Sequence, residues 1–272
     1  MSAAVPLRIR GAALERGGRE LWSGLDLEVQ PGELVAVLGP SGSGKTTLLR
    51  AILGLERVSA GSVEALGAPV RRAGNRRIGY IPQQRPLPRE TPLRGRDIIG
   101  LGVDGHRLGL PLSRKKDRAR IDELLEAVGA TAFGDRPVGL LSGGEQQRLR
   151  VGQALADDPA LLLCDEPLTS LDLANQQAVV RLIDRHRRER NAAVLLVTHD
   201  INPVLSRVDR ILYIANGRFT LGTPDEVLTT ENLSALYGAP VFVVRAGDQL
   251  IVVGAPDAED HHHHHHHGED DE

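Results

Sequence analysis

The chain has 272 residues, 41% of them hydrophobic and 25% charged, a globular balance that excludes a wholly disordered protein and leaves room for one large domain or two small ones. Its 33 Lys and Arg face 36 Asp and Glu, but seven of those acids lie at 257–272, so the body is mildly basic. It lacks the strong, clustered positive charge of a nucleic-acid binder, and no nucleic-acid partner is expected.

The single cysteine, Cys164, excludes an internal disulfide, and its leucine neighbours suggest a buried, inert thiol on a strand, which fits a cytosolic address. No segment has a leader pattern or approaches the roughly 18 apolar residues of a spanning helix, so a partner would have to cross any membrane involved.

In chain order, apolar alternation at 7–14 and 25–29 predicts paired strands, and Pro31-Gly32 turns the chain into an apolar strand at 34–38. A glycine-rich loop follows, then a helix from Lys45 to about Leu53. The middle, 82–141, begins rich in Pro, Gly and Arg and turns helical at 116–128, with Ile121, Leu124, Leu125 and Val128 on one face; it is expected to be an inserted helical subdomain. The basic run at 114–118 fits a solvated helix start. From Gly143 a helix to about 156, a strand at 161–165, a helix at 174–190 and strands at 193–198 and 211–215 alternate as in a parallel α/β sheet. Thr223-Pro224-Asp225-Glu226 is a capping box that opens a short helix. A hairpin at 241–244 and 250–253 closes the fold, and residues 255–272 are expected to be a disordered tail.

Three motifs carry chemistry. Gly39-Pro40-Ser41-Gly42-Ser43-Gly44-Lys45-Thr46 fits GxxxxGK[ST] between a strand and a helix: the glycines let backbone N–H groups curl around phosphate oxygens, and the helix N-terminus adds positive potential. Lys45 is expected on the β- and γ-phosphates of ATP, the Thr46 hydroxyl on Mg²⁺, and Thr47 toward the α-phosphate. The apolar run ending in Asp165-Glu166 puts two carboxylates at the C-terminal end of a strand, where α/β sheets bind ligands; Asp165 would hold Mg²⁺ through water, and Glu166 would act as general base on the attacking water. Leu141-Ser142-Gly143-Gly144-Glu145-Gln146-Gln147-Arg148 again joins glycines to a helix start, a second anion-binding nest.

Together these motifs resemble the nucleotide-binding subunit of ABC transporters over about residues 7–244. The resemblance implies a P-loop NTPase ABC cassette, an α/β fold with a RecA-like parallel-sheet core, an N-terminal antiparallel β subdomain and the helical subdomain at about 84–156, within one ATP-binding domain at 1–254. It also implies that Gln83 is the glutamine that touches Mg²⁺ and water and relays to a membrane partner, with Gln84 as the fallback, and that His199 holds the γ-phosphate and the attacking water. Ser170-Leu171-Asp172 matches the D-loop, which implies a head-to-tail dimer in which Ser142, Gly143, Gly144 and Gln146 of one copy face the ATP of the other. Where such subunits stack an aromatic on adenine, this chain has Arg16.

A separate chain without spanning segments resembles the ATPases of bacterial importers, peripheral on the cytoplasmic face of the membrane and paired with permease subunits and a substrate-binding protein. The stretch 102–110 and the Leu-Leu-Glu-Ala-Val-Gly helix at 124–129 resemble the zinc and manganese uptake branch; iron-chelate importers are similar near 236–241. A soluble single-cassette ABC ATPase, such as a cluster-assembly factor, is the alternative of another class. The seven histidines at 261–267, flanked by acids, have zinc-binding chemistry or are a purification tag.

Overall fold

The computed structural model describes residues 5–72, 74–83, 87–105, 115–247 and 249–254. The expectations placed on Gln84, Arg114, the 106–110 stretch and the tail at 255–272 lie outside the described residues.

Strands β1 (Leu7–Arg16) and β2 (Arg19–Val29) form a long antiparallel hairpin, joined on the other edge by β4 (Ala60–Ala65) and β5 (Ala68–Pro69) in the order β2-β1-β4-β5. The second sheet holds β3 (Leu34–Leu38), β6 (Ile78–Ile81), β7 (Leu161–Asp165), β8 (Ala193–Val197), β9 (Arg210–Ala215) and β10 (Arg218–Gly222), in the order β10-β9-β3-β8-β7-β6. All its neighbours pair in parallel except β10, which closes the β9 edge antiparallel. Parallel strands buried on both faces read as unbroken apolar runs, and β3, β7 and β8 are buried at every position.

The two faces of this sheet anchor two cores. Val35, Val37, Leu161 and Leu163 point to the side shared with the antiparallel sheet and with α1 (Lys45–Ile52). Ala36, Leu38, Leu162 and Cys164 point to the opposite core, which continues through α2 (Gly95–Val103), α3 (Lys115–Ala127) and α4 (Gly143–Ala154), the helices between β6 and β7, and reaches α5 (Leu173–Arg190). Burial pushes the Cys164 thiol well above its ordinary pKa, as expected of an inert core residue.

Several elements depart from the sequence expectation. The second strand starts at Arg19, not 25, because its first half is largely exposed and polar and carries no apolar alternation. Strands β4, β5, β6 and β10 and helix α2 were not anticipated, and neither was α7 (Thr230–Tyr237), which follows α6 (Pro224–Val227). The predicted cap of α6 is present: Thr223 Oγ1 accepts from Glu226 N, and Glu226 accepts from Thr223 N at 2.8 Å. The hairpin β11 (Phe242–Ala246) and β12 (Gln249–Val253) stands apart as a third, two-stranded sheet. Among the described residues, no helix is long and apolar enough to cross a membrane.

Candidate functional site

The loops after β3, β6, β7 and β8 all leave the same, C-terminal edge of the parallel strands, the edge at which open α/β sheets take ligands. The phosphate loop follows β3. Gly39 has φ +140°, and a Cβ there would overlap the Ile214 carbonyl, so the tight exit from the strand requires glycine. Gly44 then caps α1, whose first turn contains no acidic residue to compete for an anion. Thr47 is buried, as is Lys45, whose Nζ donates to the carbonyls of Gly39 at 2.7 Å and Pro40 at 2.8 Å. Burial pushes the Lys45 pKa down, against the upward pull of Glu166 and Asp165. The hydroxyl of Ser43 in the loop and the indole N–H of Trp22 beneath Gly44 are buried without a hydrogen-bond partner.

Asp165 ends β7 almost fully buried. The Thr46 hydroxyl donates to its Oδ1 at 3.0 Å and the Tyr80 hydroxyl to its Oδ2 at 3.2 Å. Burial raises the Asp165 pKa, the two hydroxyl donors pull it back, and Glu166 beside it adds to the rise. The same burial, with Asp165 adjacent, lifts Tyr80 to about 12. Thr46, Gln83 and Asp165 line one cavity of about 340 Å³ together with Tyr80, Pro82 and Arg150. Its hydroxyl, carboxamide and carboxylate oxygens are hard donors without thiolate or imidazole, a set that fits Mg²⁺.

Glu166 is the strained residue of the site, with φ +46° on a side chain that bears a Cβ, a cost on the order of 1–3 kcal/mol. Its N–H is fixed on the Val197 carbonyl at 3.0 Å, so the next strand holds the bend. The bend delivers the carboxylate to three partners: Glu166 Oε2 accepts from Gln83 Nε2 at 3.3 Å and from Thr169 Oγ1 at 3.0 Å, and lies 3.6 Å from His199 Nδ1. His199 is mostly exposed while the carboxylate is one-fifth exposed, which leaves the group open to solvent on the His199 side.

The signature segment lies elsewhere. Ser142 caps α4 through a complete capping box: its Oγ accepts from Glu145 N at 3.3 Å and its N–H donates to Glu145 Oε2 at 2.8 Å. Ser142 is exposed, and neither it nor Gly143 or Gly144 lines the cavities at the phosphate loop. Gln146 differs from the expectation that it faces a second nucleotide. It is buried, its Nε2 donates to the carbonyls of Val138 at 3.1 Å and Leu141 at 3.2 Å, and its Oε1 accepts from Leu87 N, so both ends of the amide brace the loop inside the chain. Asp172 caps α5, accepting from Asn175 N and Nδ2, each at 2.8 Å, and these bonds hold its carboxyl below the usual range.

Arg16 is exposed at the tip of the first hairpin, paired across it with Arg19. A cavity of about 360 Å³ beside Pro40, Ser41, Gly42 and Ser43 is lined instead by Arg19, Glu20 and Leu21. Arg19, Tyr80, Thr169 and Arg150 are the site residues that sequence reasoning did not name. Each lies within three residues of a position singled out above: Thr169 after Glu166, Tyr80 before Gln83, Arg150 after Arg148 and Arg19 after Arg16.

Residues 22–169 match the family described as ABC transporter. The chain is 37% identical over 226 residues to the zinc import ATP-binding protein ZnuC of Cereibacter sphaeroides, covering 83% of this chain and 86% of that protein. It is 36% identical over 259 residues to the hemin import ATP-binding protein HmuV of Pseudomonas aeruginosa, covering 90% and 99%. To the manganese transport system ATP-binding protein MntB of Halalkalibacterium halodurans it is 31% identical, covering 82% and 88%. A solved metal-chelate type ABC transporter in an inward-facing conformation superposes with TM-score 0.75 at 27% identity, over 91% of this chain and 96% of that one. With the phosphate loop, the carboxylate pair and the signature in one cassette, the chain belongs to the ABC transporter family as an ATP-binding, ATP-hydrolysing member.

Proposed function

We propose that this chain is the ATPase subunit of an importer for a divalent metal ion, zinc or manganese. The chemistry is carried by one observation, the convergence of Gln83, Thr169 and His199 on the Glu166 carboxylate beside the Thr46–Asp165 pair. The cargo is supported by relatives named for zinc and manganese transport.

In this reading the phosphate loop from Gly39 to Thr47 holds ATP, and Lys45 exchanges its bonds to Gly39 and Pro40 for phosphate oxygens. Thr46, Asp165 and Gln83 would hold Mg²⁺, which supplies charge neutralisation at the phosphates. Glu166 accepts the proton of the attacking water, Thr169 and Gln83 fix the orientation of its carboxylate, and His199 steadies water and γ-phosphate from the exposed side. Because Ser142 and Gly144 lie away from their own chain's phosphate loop, they act on the ATP of a second copy in a head-to-tail dimer. Gln146 braces them from inside. The adenine-side wall is Arg19 with Leu21, a guanidinium stacking surface one strand across from Arg16.

The ATP-binding domain is 1–254 with its helical subdomain at about 84–156. Permease subunits cross the membrane, a substrate-binding protein delivers cargo, and the chain sits peripherally on the cytoplasmic face. A second cargo, chelated iron, is supported by the hemin import relatives at 36% and 35% identity.

The test is metal accumulation in cells lacking the chain, complemented with the native protein or with Glu166→Gln. A selective zinc or manganese deficit that only the native protein repairs is expected. A deficit confined to chelated iron selects the second cargo, and unchanged metals with no co-purifying permease would favour a soluble cluster-assembly ATPase.

A further inference from the structure

The roomiest of the cavities described lies away from the nucleotide site, a cleft of about 900 Å³ between the C-terminal turn of α3, the middle of α4, α5 and the 3-10 turn Leu205–Arg207. None of Lys45, Thr46, Gln83, Asp165, Glu166 or His199 lines it. Arginines dominate its walls: Arg148 from α4, Arg181, Arg185 and Arg188 from α5, and Arg207.

The charge is neutralised only in part: Arg188 and Arg207 share Asp184, while Arg148, Arg181 and Arg185 have no ion pair among the described residues. Three acids also line the cleft, Glu126, Asp184 and Glu189. Asp184 is already engaged, with Arg187 at 2.8 Å, Arg188 at 3.1 Å and Arg207 at 3.6 Å. Arg181 has no hydrogen bond or ion pair among the described residues.

Two of the arginines are held in place by the walls themselves. Arg185 Nη2 donates to the Ala127 carbonyl at 2.5 Å. Arg148 donates to the Gly129 carbonyl at 3.1 Å and lies 5.1 Å from the Phe133 ring centroid, while its Nε is buried without a partner. A fixed guanidinium retains donors in a rigid fork that suits phosphate or carboxylate oxygens.

Helix α5 pays for this arrangement. Arg181, Arg185 and Arg188 recur at spacings of four and three, so they stack on one helix face, where like charges repel. Arg188 in the last turn gains from the helix dipole, but Arg181 and Arg185 sit too far from the C-terminus for that compensation. An anion in the cleft removes the repulsion. Val128, Ala178 and Leu182 add an apolar floor, and the volume is that of a small-molecule site.

We propose that this cleft is a second anion site, separate from the phosphate loop, that binds a small molecule carrying two or more phosphoryl groups. The occupant bridges α4, which the signature opens, to α5, which Asp172 caps.

Inorganic tripolyphosphate is the probe, titrated calorimetrically at low salt into the full chain bearing Lys45→Ala, which weakens competing binding at the phosphate loop. One site per chain is expected to persist in that background. The added pair Arg181→Ala and Arg185→Ala, both exposed positions, weakens it at least about tenfold, and Arg181→Ala alone weakens it less. Arg10→Ala with Arg57→Ala, which removes the same charge from exposed positions outside the cleft, leaves it unchanged. Absence of binding in the Lys45→Ala chain, or equal weakening by the two arginine pairs, overturns the proposal.

Discussion

Gly144 stands so close to Asn175 that a Cβ on the glycine would lie 2.6 Å from the Asn175 Nδ2, the same group that donates to the Asp172 cap of α5. The signature and the start of α5 are therefore in direct contact within one chain, and a Cβ at this position fits only if the Asn175 amide moves. Gly144→Ala should displace Asn175, weaken the cap by about 1 kcal/mol and lower the melting temperature. ATP affinity at the phosphate loop, which Gly144 does not touch, should hold while ATPase turnover falls. Adding Asn175→Ala makes room for the new methyl, so the double variant should melt above Gly144→Ala alone; if it melts lower, the clash is not the cause.

Gln146→Ala removes one amide that serves three backbone groups, the carbonyls of Val138 and Leu141 and the N–H of Leu87. Leaving buried backbone groups unpaired costs about 1–3 kcal/mol, which denaturant unfolding would register as a lower midpoint with an unchanged slope. A surface residue waiting for a second nucleotide would instead leave the midpoint where it is.

How legible these positions were depended on what each residue's neighbours required. Strand β7 reads directly from sequence because both of its faces are buried and the run ends in two acids. Helix α2 was hidden because Gly95, Gly100 and Gly102 look like loop, yet a Cβ on Gly102 would overlap the Gln153 carbonyl of α4, so that glycine lets two helices approach. Tyr80 enters the site only because β6, a strand too short to be read from its sequence, pairs beside β7 and brings the hydroxyl to Asp165. Arg16 was placed at the family's aromatic position by alignment through Gly17-Gly18-Arg19, whereas the cavity beside the phosphate loop is walled by Arg19, its partner across the hairpin.

Asp165 makes a pH-dependent prediction. Burial raises its pKa in the ligand-free chain, so its ionised form is disfavoured by folding. The contribution of the protonated acid is fully present below the unfolded value, about 3.9, and is lost as pH rises through the higher folded value. Asp165→Asn should therefore melt above the native chain at neutral pH, with the gap closing as pH falls through the carboxylate range. A gap constant from pH 7 to pH 4 would contradict this.

Lys45→Ala deletes the buried ammonium that Gly39 and Pro40 now hold in place for phosphate. Each charge-assisted bond lost is worth about 1.5–3 kcal/mol, so nucleotide affinity measured by fluorescence titration should fall roughly 10- to 100-fold or more. Undiminished affinity would remove the phosphate-loop assignment.

That the bend at Glu166 aims a base is tested by measuring ATP affinity and single-turnover hydrolysis of Glu166→Gln side by side. The amide keeps the size of the side chain and loses only the ability to take a proton, so affinity should stay close to native while hydrolysis slows by about 10²- to 10⁴-fold. Hydrolysis at the native rate would remove Glu166 from the role of base.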